Sequence, residues 1–440
     1  MNEATARTLE QLRSGALAGA TRIDLSGGLT ELPPELFALG DTLEALNLSG
    51  NALADLPDDL ARLRRLRIVF CSDNRFTHVP KVLGTLPALE MVGFKSNRIR
   101  ELSGASLPPR LRWLILTANE LADLPDELGR RPRLQKLMLA GNRLSKLPPS
   151  MAACERLELL RIASNRFEEL PDWLLELPRL SWLAFAGNPV AEASEDRAVQ
   201  SHPVPDIPWQ ALQLHEVLGQ GASGVIHRAS WQGQREVAVK LFKGEITSDG
   251  SPLSEMDACI AAGAHPALIA VRGRIAGHPA GTPGLVLDLV DPRFRNLAGP
   301  PSFESCTRDV YEPALQFEGA GVLAMAGGIA SAVAQLHARG ILHGDLYGHN
   351  ILWDGRQQAL LGDFGAASFF APGSAQGQGL MRIEARAFGC LLEELVERCG
   401  DLTADQREGL LRLQSRCLDA DPRQRPGFDE IAGSLQTLQP

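Results

Sequence analysis

The chain has 440 residues, 44% of them hydrophobic and 22% charged, a soluble globular composition too long for one ordinary core. Residues 1–190 carry 24 Lys+Arg against 23 Asp+Glu, a net of +1, whereas residues 191–440 carry 20 against 30, a net of −10. Neither half has the basic surplus of a nucleic-acid binder, and no run of 18 apolar residues reads as a membrane span.

In chain order, residues 1–20 come first and read as an amphipathic helical cap, with no basic-then-apolar secretory signal. An asparagine then recurs at 51, 74, 97, 119, 142, 165 and 188, with spacings of 23, 23, 22, 23, 23 and 23. Apolar residues stand eight, five and three positions before it, as with Leu43, Leu46 and Leu48 before Asn51. A Leu-Pro or Val-Pro step follows, as at Leu56-Pro57, Val79-Pro80 and Leu147-Pro148. Alternating L-x-L predicts a short strand with one face inward, and an Asn side chain can satisfy backbone groups where the chain turns. The Asn97–Asn119 unit is one residue short, which predicts an irregular outer side.

Over residues 21–189 this pattern resembles the leucine-rich repeat, in about seven units. The resemblance implies an α/β solenoid in which each unit buries its leucines only against its neighbours. Positions between the core leucines face its concave side, and Phe70, Met91, Trp113, Ile115, Met138 and Trp182 form an apolar ladder there. Polar residues such as Lys136 and Arg161 are the minority on that ladder. Single exposed apolar residues need no explanation, but a contiguous patch marks an interface. The expected occupant is a protein partner, a second subunit or the chain's own C-terminal half. Cys71 takes an inward strand position and reads as a buried small hydrophobe, and seven cysteines without a C-x-x-C pair fit a reducing cytoplasm. An exported protein with a non-cleaved signal would read the same.

Residues 190–208, small, polar and proline-bearing, read as a linker. From 209 the texture changes: an apolar alternation runs into GQGASG, then into REVAVKLF. Glycines at 219, 221 and 224 between two strands could be a hairpin turn; no helix follows, which rules out a dinucleotide-binding fingerprint. Lys240 is notable because residues 191–440 contain two lysines against eighteen arginines. A compact ammonium fits between phosphates where a planar guanidinium does not. A helix with apolar positions at 322, 325, 329, 333 and 336 precedes H-G-D-L-Y-G-H-N at 343–350, and D-F-G follows at 363–365.

Together, Gly219-x-Gly221-x-x-Gly224, V-A-V-Lys240, His343-G-Asp345-x-x-x-x-Asn350 and Asp363-F-Gly365 resemble a eukaryotic-type protein kinase over residues 209–440. The resemblance implies an α+β bilobal domain that uses ATP and Mg²⁺. In it the glycine loop covers the phosphates, Ile226 and Ala238 pack on the adenine, and Asp288 and Val290 offer it backbone groups. Lys240 contacts phosphates and pairs with Glu255, or alternatively with Asp257. Asp345 receives the acceptor's proton, while Asn350 and Asp363 hold Mg²⁺ with hard oxygen donors. Glu384 would anchor the catalytic loop from a buried helix, and Arg425 belongs to a D-P-x-x-R-P ending.

The departures matter as much. The usual H-R-D is H-G-D, and the cation two residues after the Asp is replaced by Tyr347. His349, or an arginine from elsewhere, would have to substitute for it. Only 21 residues separate Asp363 from Glu384 and no A-P-E intervenes, so the activation segment is shortened and Arg425 lacks its usual glutamate. Ser368 and Ser374 are possible phosphorylation positions in that segment. The expected activity is Ser/Thr protein phosphorylation of a partner recruited by the repeats. The alternatives are a small-molecule kinase of the H-G-D type, or a catalytically weak scaffold. The oligomeric state is not legible.

Overall fold

A computed structural model describes residues 2–244 and 246–439. It divides into two compact units: Met1–Leu160 with Asn165–Pro171, and Arg161–Ser164 with Asp172–Pro440.

The first unit opens with α1 (Glu3–Arg13), whose first turn is closed by the Asn2 side chain accepting from Thr5 N at 2.8 Å. Three-residue strands follow at the repeat period: β1 (Arg22–Asp24), β2 (Ala45–Asn47), β3 (Ile68–Phe70), β4 (Met91–Gly93), β5 (Trp113–Ile115), β6 (Lys136–Met138) and β7 (Leu159–Arg161), whose last residue belongs to the second unit. β1 to β6 pair in parallel with their middle residues in register: Ile23, Leu46, Val69, Val92, Leu114 and Leu137, each at 2% exposure or less. A strand of three residues buries one side chain and leaves two outside, so the core needs the flanking leucines as well.

The repeating asparagines hold the turns. Asn74 donates to the carbonyls of Leu48 at 2.9 Å and Cys71 at 3.2 Å, and accepts from Leu53 N at 3.0 Å. Asn142 repeats the pattern three turns later, on Leu116 and Leu139. A buried amide is tolerated because both its ends are paired. The outer side of most turns is a single 3₁₀ turn of five residues, such as Asp126–Arg130; the short unit has only Gly104–Ser106. Ser106 compensates there by donating to Val79 O at 2.7 Å.

The second unit begins with Arg161–Ser164, the 3₁₀ turn Asp172–Glu176 and β8 (Trp182–Ala184). The expected linker is mostly a helix. α2 (Pro189–Ser201) starts with Pro189 at its first position and packs against α3 (Pro252–Ala262). Its composition is polar because one side is exposed, and a proline at the first helical position misleads a reading that treats Pro as a breaker. β9 (Asp206–Pro208) follows.

Five antiparallel strands then form one layer: β10 (Leu212–Gln220), β11 (Gly224–Trp231), β12 (Arg235–Phe242), β13 (Val271–Ala276) and β14 (Gly284–Asp288). Their order is β10-β11-β12-β14-β13, closed by β9 running parallel to β13. Val237, Val239, Val286 and Ala229 make its core. Next come β15 (Arg295–Asn296), α4 (Gly319–Ala338), β16 (Ile341–Leu342), β17 (Ile351–Trp353), β18 (Ala359–Leu361), β19 (Ser368–Phe369), α5 (Ala375–Glu397), α6 (Ala404–Cys417) and α7 (Phe428–Gln436). α4 is long and apolar enough to cross a membrane by composition, yet most of it is buried against α5, α7 and β16. It is the central helix of the helical layer.

Candidate active site

Two cavities lie against the five-stranded layer. One, of about 480 Å³, is lined mainly by apolar residues including Leu218, Ile226, Ala238, Leu287, Val290 and Leu352. The other, of about 440 Å³, is polar: Gly219 to Gly224, Lys240, Thr247, Asp249, Asn296, Asp363 and Gly365 line it, and Ile226 belongs to both. An apolar slot beside a cradle of backbone amides, an ammonium and carboxylates fits a purine joined to a polyphosphate.

The strands explain the cradle. The β10–β11 hairpin carries the glycine loop, and at Gly224 a Cβ would lie 2.4 Å from Leu241 O on the neighbouring strand. Only glycine permits that approach. Antiparallel pairing sets Lys240 opposite Ile226 and Ala238 opposite Leu287, so one strand contributes to both cavities. Lys240 Nζ hydrogen-bonds Glu255 on α3, which is 1% exposed. Burial disfavours both charges: the pKa of Lys240 is raised because Glu255 outweighs its burial, while burial, with Asp363 nearby, pushes the Glu255 carboxyl up despite Lys240. Asp257 is not on Lys240; its main electrostatic partner is Arg274. Asp288 and Val290 both line the apolar cavity; the Asp288 N–H donates to Ala270 O at 2.9 Å, so a backbone contact from Asp288 to a base falls to its carbonyl. Its carboxylate is held by Arg272 and Arg235.

The H-G-D loop leaves β16 at His343 and is held by Glu384 of α5. That carboxylate accepts from Gly344 N at 2.7 Å, His343 N at 3.2 Å and the His337 ring at 2.7 Å. Asn350 Nδ2 donates to Asp345 O at 2.9 Å and to Asp345 Oδ2 at 2.7 Å. The next strand pair brings Asp363 close: Gly362 N donates to Asn350 O at 2.9 Å and the His343 ring bonds Gly362 O at 2.9 Å. Asp363 sits at φ +50°, and its Oδ1 accepts from Gly365 N at 3.1 Å.

The donor set suits Mg²⁺. With its amide nitrogen committed to Asp345, Asn350 has its side-chain oxygen left to offer, and Asp363 presents a carboxylate to the polar cavity. Among the described residues no group of three His, Cys, Asp or Glu could hold a metal by itself. A cation at this place would be held by one or two protein oxygens, the rest of its shell coming from phosphate and water.

The structure adds a residue that the loop motif does not contain. Arg161, 1% exposed, donates from Nε to Asp249 Oδ1 at 2.8 Å, from Nη1 to Gly344 O at 3.1 Å, and from Nη2 to Asp345 Oδ1. Burial opposes the charge of Asp345, but Arg161 together with His349 and His343 outweighs it, so the pKa of Asp345 is lowered. His349 is raised: burial works against its charge, yet Asp309 Oδ1 at 2.7 Å from Nδ1 prevails. In the sequence Arg161 is one of the polar minority on the concave ladder, and the signal pointing to it is the missing cation at 347.

Other expectations change. Trp182 is 1% exposed and stacked on Tyr347, with centroids 4.2 Å apart and planes at 9°, and its Nε1 donates to Leu346 O at 3.1 Å. It is not an open partner-binding residue. Met91 at 2% and Met138 at 7% are buried too, whereas Phe70, Trp113 and Ile115 are half-exposed. Ser368 is fully buried, its Oγ accepting from Phe185 N at 2.8 Å and Ala186 N at 3.1 Å, so it is closed to a phosphorylating enzyme. Ser374 caps α5 through Gly377 N at 2.9 Å. Arg425, 3% exposed, replaces its missing glutamate with the carbonyls of Asp419, Arg382 and Pro178.

A protein kinase domain model matches residues 212–393, and a leucine rich repeat model matches residues 132–190. The chain carries leucine-rich repeats and a protein kinase domain. The kinase-domain match ends inside α5, so Arg425 and α7 lie beyond it. The chain is 24% identical over 292 residues to the RasGEF domain-containing serine/threonine-protein kinase X of Dictyostelium discoideum, covering 56% of this chain and 29% of that protein. It is 38% identical over 110 residues to the "Probable inactive serine/threonine-protein kinase roco10" of the same organism, covering 23% of this chain and 4% of the relative. With the human PH domain leucine-rich repeat-containing protein phosphatase 1 it shares 33% identity over 92 residues, 21% of this chain and 5% of the phosphatase. The chain thus spans less than a third of each of these relatives.

Proposed function

We propose that the chain is a phosphotransferase that uses ATP and Mg²⁺ to phosphorylate Ser or Thr of a protein held by its repeats. The observation that carries this reading is that Lys240, bonded to Glu255, lines one polar cavity together with Asp363, while Asp345 and Asn350 are bonded to each other and Asn350 O accepts from Gly362 N, next to Asp363. Lys240 would position the phosphates, and Asp345 would take up the acceptor's hydroxyl proton. Asn350 and Asp363 would hold Mg²⁺, whose bound form neutralises charge on the transferring group. The apolar slot would enclose the adenine between Ile226 and Ala238 on one side and Leu352 on the other.

For the protein partner, support comes from the half-exposed Phe70 on β3 and Trp113 and Ile115 on β5, three apolar residues on repeat strands one apart. A second reading, a compact small-molecule acceptor, is favoured by one observation: only residues 370–374 separate β19 from α5, which leaves little chain for a peptide platform.

The test is transfer from γ-labelled ATP by the full chain, with Lys240→Met and Asp363→Ala as controls. Acid-stable label on Ser or Thr of protein, lost in both variants, supports the first reading. Label only in small-molecule acceptors supports the second. Tight nucleotide binding without any transfer would leave a scaffold.

A further inference from the structure

Two absences in the catalytic loop and one presence elsewhere coincide in space. At Gly344, φ is +73° and a Cβ would lie 2.6 Å from both Leu183 O and Ala366 O. The backbone of β8 therefore occupies the room that the family's arginine would need. At position 347 the cation's place is taken by a tyrosine that lies flat on Trp182, the first residue of β8. Into the same loop comes the guanidinium of Arg161, at the end of β7, on the oxygen of Asp345 that Asn350 does not hold.

We infer that Arg161 is the positioning cation of the catalytic loop, supplied from a repeat strand in place of the basic residue missing at 347. This assignment, which rests on the phosphotransfer reading above, explains three features together. Asp345 is gripped on both oxygens, by Asn350 on one side and Arg161 on the other, so its carboxylate plane is set. Arg161 also bonds Asp249, which lines the polar cavity, so one planar side chain ties the base to the wall of the phosphate site. A lysine could not span Asp249, Gly344 O and Asp345 at once, because it lacks the rigid fork. And Gly344 with Tyr347 become the complement of Arg161: they make room for β8, which brings Trp182 onto the loop.

An inhibitory latch would use the same contact differently. In the structure the Lys240–Glu255 pair is made and the two cavities are formed with Arg161 in place, the arrangement of a site ready for nucleotide.

The experiment compares full-length wild type, Arg161→Lys, Arg161→Gln and Asp345→Asn. Two affinities are measured by calorimetry: for a non-hydrolysable ATP analogue with Mg²⁺, and for ADP with Mg²⁺ and aluminium fluoride. The fluoride complex mimics the transferring phosphoryl group together with an in-line water that Asp345 must orient. Steady-state kcat and KM for ATP are measured alongside. The expected result is an analogue affinity and a KM within about threefold of wild type, with kcat and fluoride-complex affinity reduced about 10²-fold in Arg161→Gln. Arg161→Lys should fall between, and Asp345→Asn should be at least as impaired as Arg161→Gln. Circular dichroism establishes that each variant is folded; if Arg161→Gln is not, the lysine variant decides by the same criterion. Unchanged kcat and fluoride-complex affinity overturn the assignment, and so does a kcat that rises, which would make the contact a latch. A wild type that binds no nucleotide would instead bring down the phosphotransfer reading, and this assignment with it.

Discussion

Arg161 and Asp345 stand 184 positions apart in the chain and share a hydrogen bond inside one compact unit. The bond joins the end of a repeat strand to the aspartate of the H-G-D loop. A buried guanidinium is costly unless its charge is met, and here Asp249 and Asp345 both meet it.

Breaking the Lys240–Glu255 pair should cost both stability and turnover. Glu255→Gln leaves a largely buried ammonium with a weaker partner, and removal of one member of a buried pair typically costs about 3–5 kcal/mol. A loss at the lower end of that range is expected, since Gln keeps one acceptor, with a rise in KM for ATP. Urea unfolding and initial rates check it; a variant equal to wild type in both would remove Glu255 from the site.

Restoring a side chain at position 344 should harm rather than help. Ala at a positive φ costs about 1 kcal/mol or more, and its Cβ would press on two carbonyl oxygens fixed in strands. Gly344→Ala should therefore lower stability by more than about 2 kcal/mol. Denaturant midpoints measure this directly, and an unshifted midpoint would mean that β8 yields easily.

Trp113 and Trp182, equivalent by repeat position, should differ sharply on truncation. Trp182→Ala removes a fully buried ring and should destabilise by about 3–5 kcal/mol. Trp113→Ala, at a half-exposed position with Lys136 Nζ 4.3 Å from the ring centroid, should cost much less. Loss of partner capture in Trp113→Ala with stability kept would favour the repeat face as an interface. The reverse stability ranking would contradict the burial of Trp182.

Glu384 should contribute an acid-sensitive share of stability. Burial opposes its charge, but His337, His343 and the Gly344 N–H outweigh it, so its folded pKa lies below the ordinary value. For a depressed carboxylate the contribution is fully present above the unfolded pKa, about 4.3, and is lost as pH falls through the lower folded value. Glu384→Gln should flatten the acid limb of the stability–pH curve, and it should reduce stability at pH 7. A parallel curve for variant and wild type would mean that the carboxylate is not charged in the fold.

Much of the architecture was legible because periodic constraints repeat. The asparagine spacing marks each turn since only a side chain with both donor and acceptor can pair two turns of backbone. Lys240, Asp345, Asn350 and Asp363 were legible by order and interval. What sequence could not reveal depends on non-local packing. α2 was hidden by polar composition and a proline at its first position. Arg161 and Trp182 read as members of an outward ladder because period-two alternation says which face a residue takes, not what covers that face. Gly344 looked like a loss until β8 was seen to fill its space.

Whether Asp345 acts in phosphoryl transfer can be decided by one substitution. Asp345→Asn is nearly isosteric and keeps one acceptor oxygen, which Arg161 can still use, while its NH₂ meets the Asn350 Nδ2 donor; Asp345 lines neither cavity, so nucleotide binding should survive it. The measurement is the rate of γ-phosphate transfer from ATP with Mg²⁺, alongside ATP-analogue affinity, in wild type and Asp345→Asn. A rate reduced about 10²- to 10⁴-fold at unchanged affinity is expected. Equal rates in the two proteins would contradict the account.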